Sequence, residues 1–160
     1  LMTGMRGQEL RALYVEDVSF KKHTINICKA AGVVDDEQNP DKTKRKTKTI
    51  IGPTKTDNST RVIGITPDTE SYLLLMIEER PTLKNPLILQ NTKGDIMEKR
   101  TFEKRFDKIL ADAGIEKLGR SPHDLRHTFI SIVMAGMLII SSFVETYIST
   151  NLFLMTLDFI

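Results

Sequence analysis

Apolar residues recur along this chain at two spacings, one near four and one of two, and the spacing changes where Gly, Pro, Asn and Asp interrupt it. Leu10 and Leu13 with Tyr14 give a short helical face after Thr3, a residue suited to capping. His23 to Lys29 alternates as a half-buried strand does, with Ile25 and Ile27 on one side. Ile50-Ile51 and Val62 to Ile65 flank a turn rich in Gly, Pro, Asp, Asn and Ser, so these stretches together predict a three-stranded antiparallel sheet. Thr66-Pro67-Asp68 starts a helix whose apolar run is Tyr72 to Ile77 and whose end lies near Arg80-Pro81. Pro86 to Gln90 reads as a short buried strand or extended piece before a Lys93-Gly94-Asp95 turn. Phe102, Phe106, Ile109, Leu110 and Ala113 then share one face of an amphipathic helix that Gly114 stops. Ser121 and Pro122 open a last helix, with Asp124 in its first turn where negative charge suits the dipole. The expected fold class is α+β, mainly helical, with one small sheet.

Composition narrows this little. A chain of 160 residues, 40% hydrophobic, has enough length for one sizeable core. The net charge of +2 is modest, so affinity for a polyanion would depend on how basic groups cluster. Cys28 is the one cysteine, which excludes an internal disulfide and suits a reducing cytoplasm. No secretory signal is seen, and a first residue of Leu with a motif starting at once gives the expectation of further chain upstream.

The candidate chemistry sits in three places. In Ser121-Pro122-His123-Asp124-Leu125-Arg126-His127-Thr128, helical spacing puts His123, Arg126 and His127 on one face. A guanidinium grips two phosphate oxygens in a planar fork, and an imidazole passes a proton near neutral pH, so the pair suits a phosphodiester. Two other readings stand beside this one: a capped helix with a packing histidine, and a helical zinc pair of the His-Glu-x-x-His kind, for which Asp124 is one methylene short and no third ligand stands out. Near the start, Arg6 lies among Gly4 and Gly7. The helix dipole opposes a cation there, and each glycine costs a helix about 1 kcal/mol relative to alanine, so stability does not explain the choice. Glycines that admit a ligand beside an arginine that can hold it point to a phosphate, and Glu9 is one turn on, where it can fix the guanidinium. The third place is the basic stretch from Lys42 to Arg61, with Lys55 at the tip of its turn, able to swing into a neighbouring site. A solvated edge that deters strand pairing explains the Lys/Arg run equally well.

In this order the three segments resemble the catalytic domain of the tyrosine recombinases, the phage-integrase family. Thr3-Gly4-Met5-Arg6 with Glu9-Leu10 looks like the family's first-arginine box. Thr54-Lys55-Thr56 followed by Ser59, Arg61 and Ile63 looks like its β-hairpin lysine segment, and His123-Asp124-Leu125-Arg126-His127-Thr128 like its His-x-x-Arg box. The resemblance runs from Thr3 to about Gly136. It implies that Arg6 and Arg126 clamp the scissile phosphate, that Lys55 protonates the leaving 5′ oxygen, that His123 assists proton transfer, and that Glu9 supports the first arginine. It further implies a tyrosine nucleophile forming a 3′-phosphotyrosyl link, double-stranded DNA as partner, a tetramer on two DNA sites, and neither metal nor cofactor. Arg6, Lys55 and Arg126 are thus the expected DNA contacts, and residues 1–160 one catalytic-domain fragment. An inactive remnant that binds DNA or a recombinase, and a type IB topoisomerase-like strand transferase, are the alternatives within this reading.

Residues 136–160 depart from the pattern. No histidine follows His127, and Phe159 and Ile160 stand where the tyrosine is expected. Tyr147 is the only tyrosine downstream of Arg126 and comes early for that role, which suits a packing residue better. From Thr128 to Val144 there is no charged residue. Ser and Thr dilute the run, so the expectation is a buried helix continuing into an exposed apolar surface, with no membrane span.

Overall fold

A computed structural model of the chain describes residues 3–35, 47–54 and 59–157, with side chains described as far as 144. Lys55, the Lys42 to Lys46 run, Phe159 and Ile160 lie outside the described residues, as does the side chain of Tyr147. The elements, in chain order, are α1 (Gly7–Arg11), a 3₁₀ turn (Val15–Asp17), β1 (Val18–Ser19), β2 (Thr24–Ile27), β3 (Lys29–Asp35), β4 (Thr47–Pro53), β5 (Arg61–Gly64), α2 (Pro67–Glu78), α3 (Lys99–Asp112) and α4 (Pro122–Leu157).

Alternation along β2 does what its pattern dictates: Ile25 and Ile27 are buried, while Asn26 between them is exposed. These two join Leu13, Val18, Leu73 and Ile88 in the core, with Leu10, Ile63, Met76 and Ile77 packed against it. Burying each such aliphatic side chain contributes roughly 1.5–3 kcal/mol, and this cluster is what ties α1, the sheet and α2 together. Thr66 caps α2 by accepting from the Thr69 backbone N–H at 3.3 Å, with Pro67 at the first helical position. On α3, Phe106 and Leu110 are buried as the periodicity requires, and Gly114 follows the helix at φ +66°. Ile109 of the same expected face is exposed.

The sheet is antiparallel and three-stranded, but not from the strands the sequence suggested. Its order is β1-β2-β5, with Ile25 opposite Ile63. The Ile50-Ile51 stretch belongs to β4, which pairs with β3 in a separate two-stranded sheet. A strand keeps its partner for as long as the pairing lasts, and β3, lying next to β2 in sequence, takes up β4 along its whole length from Lys29–Pro53 to Asp35–Thr47. The place at the edge of the first sheet is left to Val18–Ser19.

The start of the described chain meets the first turns of α4. Gly4 is buried at φ +58°, and a Cβ there would lie 2.4 Å from the Phe129 ring of α4. Only glycine tolerates both the left-handed backbone and that approach. Its carbonyl accepts a hydrogen bond from Nη1 of Arg126, across 122 positions of sequence. Beneath this junction Arg11, 1% exposed, donates to the carbonyls of Met97 at 2.9 Å and Ala31 at 3.4 Å, so this cation is structural.

Beyond its first turns α4 has no packing partner among the described residues. Met134, Met137, Leu138, Ile139, Ile140 and Phe143 are all more than half exposed. Residues Pro122–Val144 are long and apolar enough to cross a membrane by length and composition, and none of that window is buried. The helix expected to be buried is therefore exposed on every side.

Candidate functional site

Glu9 organises the site. It lies in the single turn and a half of α1, 3% exposed, and accepts hydrogen bonds from two arginines. The backbone N–H of Arg6 donates to its Oε2 at 2.8 Å and the Arg6 guanidinium to its Oε1 at 2.9 Å. Arg61, from β5, donates through Nη1 to Oε1 at 3.0 Å and through Nη2 to Oε2 at 2.8 Å, a fork on a fork. Burial alone would push the Glu9 carboxyl up. The hydrogen bonds from Arg61 and Arg6 and the charge of Arg61 outweigh that and bring it down from 4.5 to about 2. Glu9 is therefore a fixed anion at any working pH.

Arg6 is not inside the first turn, as its neighbours in sequence suggested, but immediately before it, in an extended conformation at φ −73° and ψ 147°. That position frees the guanidinium from the opposing dipole and leaves the side chain 45% exposed, while Glu9 holds it in place. Arg126 reaches the same region from the first turn and a half of α4. Burial, then the positive charges of Arg6 and Arg61, pull its guanidinium below the ordinary value, with Glu9 opposing them. Three arginines, one just before α1, one in β5 and one in α4, thus gather around one carboxylate, leaving an excess of positive charge for an anion.

Ser121 does not cap α4 by accepting a bond. Its backbone N–H and hydroxyl donate to Oδ2 of Asp124 at 2.6 and 2.8 Å, and those two bonds hold the Asp124 carboxyl below the usual range. The first turn is fixed either way. His123 and His127 stand edge to face, ring centroids 4.7 Å apart, both exposed. Among the described residues no group of three or more His, Cys, Asp and Glu side chains is placed to hold a metal ion. His123 shares a cleft of ≈ 450 Å³ with Arg6, Gln8, Lys99 and Ser121. Arg126 instead lines a more apolar cavity of ≈ 370 Å³ together with Met5, Leu10, Phe102 and Phe106.

The structure thus brings Arg6 and Arg126 together and puts His123 on the rim of the same cleft as Arg6. The flanks of the Lys55 segment lie close together, the hydroxyls of Thr54 and Thr60 being 3.2 Å apart. Sequence reasoning saw Glu9 as the partner of Arg6 and missed that Arg61 holds it too. The available signal was an arginine in β5 two positions before Ile63, the partner of buried Ile25, which directs both side chains to the covered face of the sheet. Basic groups on α3 are divided: Lys99 lines the cleft, whereas Lys104 and Arg100 line a neighbouring depression with Lys117 and Arg120.

Solved structures share this architecture at low identity. The Tn1549 transposon integrase in complex with a circular intermediate DNA matches with a TM-score of 0.66 at 17% identity, covering 84% of this chain and 43% of that one. XerA recombinase matches at 0.61 with 22% identity, over 83% of this chain and 39% of its own. XerH site-specific recombinase, bound to difH substrate in a pre-cleavage complex, matches at 0.52 with 21% identity, over 84% and 33%. The chain therefore spans less than half the length of these structures. No curated protein sequence matches it. The profile described as the phage integrase family matches residues 1–137, most of the chain and all of the site, and the chain belongs to that family.

Proposed function

We propose that this chain is the phosphate-gripping part of an enzyme of site-specific DNA recombination, which breaks and rejoins duplex DNA through a 3′-phosphotyrosyl intermediate. The observation that carries the reading is the convergence of Arg6, Arg61 and Arg126 around buried Glu9 within a phage-integrase fold. Fixed cations of this kind stabilise the charge that builds on a phosphorane without reorganising during reaction. In this reading Arg6 and Arg126 clamp the scissile phosphate, His123 moves a proton from the cleft rim, and Lys55 protonates the leaving oxygen. Neither metal nor cofactor enters it.

The reading takes residues 1–160 as one catalytic-domain fragment whose last part, 136–160, departs from the family. The grip on phosphate, more than the covalent step, is what the described residues support, because Tyr147 comes early and Phe159 and Ile160 occupy the tyrosine's expected place. Double-stranded DNA is the proposed partner, a tetramer on two sites the assembly, and the cytoplasm the compartment, in keeping with a single cysteine.

Anisotropy of a labelled mixed-sequence duplex over a salt series tests this. Binding should weaken steeply with salt as counterions are released, and Arg6→Ala and Arg126→Ala should each lower both affinity and slope. Unchanged affinity in the double variant would overturn the reading. Covalent protein–DNA adduct trapped on a nicked suicide duplex would add the chemical step to the grip.

A further inference from the structure

Glu9 raises an electrostatic difficulty. A buried carboxylate 2.9 Å from Arg6 would neutralise the cation meant to meet a phosphate. Arg61 resolves it. Both of its terminal nitrogens face the two Glu9 oxygens, whereas Arg6 spends one nitrogen and its backbone N–H on them. Arg61 is also the more covered of the two, 28% against 45% exposed, so the fork turns inward while Arg6 turns out. The same Nη1 donates to the Ser59 carbonyl at 3.2 Å, which fixes the end of the segment that carries Lys55.

Resting on the proposed phosphate site, we infer that Arg61 is its positioning residue: from β5 it takes up the charge of Glu9, so that Arg6 and Arg126 meet the phosphate unneutralised, and it ties the start of β5 to the first-arginine box. Arg61 does not itself touch DNA in this arrangement. Its effect passes through Glu9, and that dependence is measurable.

The test is a double-mutant cycle on duplex affinity, using the full chain, with each variant's melting curve recorded and binding measured well below it. Arg61→Ala should weaken binding about fivefold at low salt where Glu9 is present, and less than about twofold in a Glu9→Gln background. Equal losses in both backgrounds would mean that Arg61 grips DNA directly, and would overturn the inference. So would a loss of melting temperature with no change in affinity, the mark of a stabilising residue only. Should Arg61→Ala fail to fold, Arg61→Gln keeps a donor to Glu9 and runs the same cycle. Arg6→Ala and Arg126→Ala in the same assay separate the two ideas: if they leave affinity unchanged the phosphate site itself falls, and if they lower it while the cycle is additive only the role of Arg61 falls.

Discussion

The two halves of α4 obey different rules. Its first turns are held by specific contacts, Ser121 to Asp124, Arg126 to the Gly4 carbonyl and Phe129 against the Gly4 backbone. Further along, Leu138, Ile139, Ile140 and Phe143 are as apolar as any core residue yet stand in the open. The family match runs to residue 137, past the last of these contacts at Phe129. Hydrophobicity alone therefore does not make a core; the facing surface must exist, and among the described residues it exists only for the part of α4 that reaches the site.

Substitutions can sharpen or break that contrast. The largest effect belongs to Glu9→Ala, which strands two arginines beside an empty buried position and should cost about 3–5 kcal/mol in urea or thermal denaturation. Gly4→Ala comes next, about 2–3 kcal/mol, from a left-handed backbone and a Cβ driven into the Phe129 ring. Arg126→Ala should lower duplex affinity about tenfold while costing stability only about 1 kcal/mol for the lost bond to Gly4; a loss mainly of stability would make that arginine structural. Acid titration gives a finer test. Glu9 has a depressed folded pKa of about 2, so its contribution is fully present above the ordinary 4.5 and disappears as pH falls from there toward 2. Glu9→Gln should flatten stability across that window. At the small end, Ile139→Ser in the outer half of α4 should change unfolding free energy by less than about 0.5 kcal/mol. A change above 1 kcal/mol would show that this half is packed after all, and the contrast would fail.

Much of the site was legible in the sequence because its demands conflict with local stability. Arginine beside glycines at a helix start is a poor way to build a helix and a good way to hold an anion, and an arginine three positions after a histidine on a well-started helix puts a cation beside a proton carrier. Arg61 was harder to see. Its role depends on β5 pairing with β2, a contact between strands far apart in sequence that places it over Glu9, and no local pattern encodes that distance. The sheet partners failed for a related reason: Lys29 to Asp35 lacks the alternation that marks a half-buried strand, so the pairing that claims Ile50 and Ile51 left no trace in the hydrophobic pattern. The α4 tail was misjudged in the opposite direction. A run without charge predicts burial only when something is there to bury it.

The bond from Arg126 to the Gly4 carbonyl bears on how the protein is made. It closes a loop of 122 positions, and a ribosome adding about 5–20 residues per second needs roughly ten seconds to go from one partner to the other. Through that interval the first-arginine box is already outside while its counterpart does not yet exist. A nascent chain therefore has no complete anion grip until the start of α4 emerges, and translation itself sets the moment at which the proposed phosphate site is assembled.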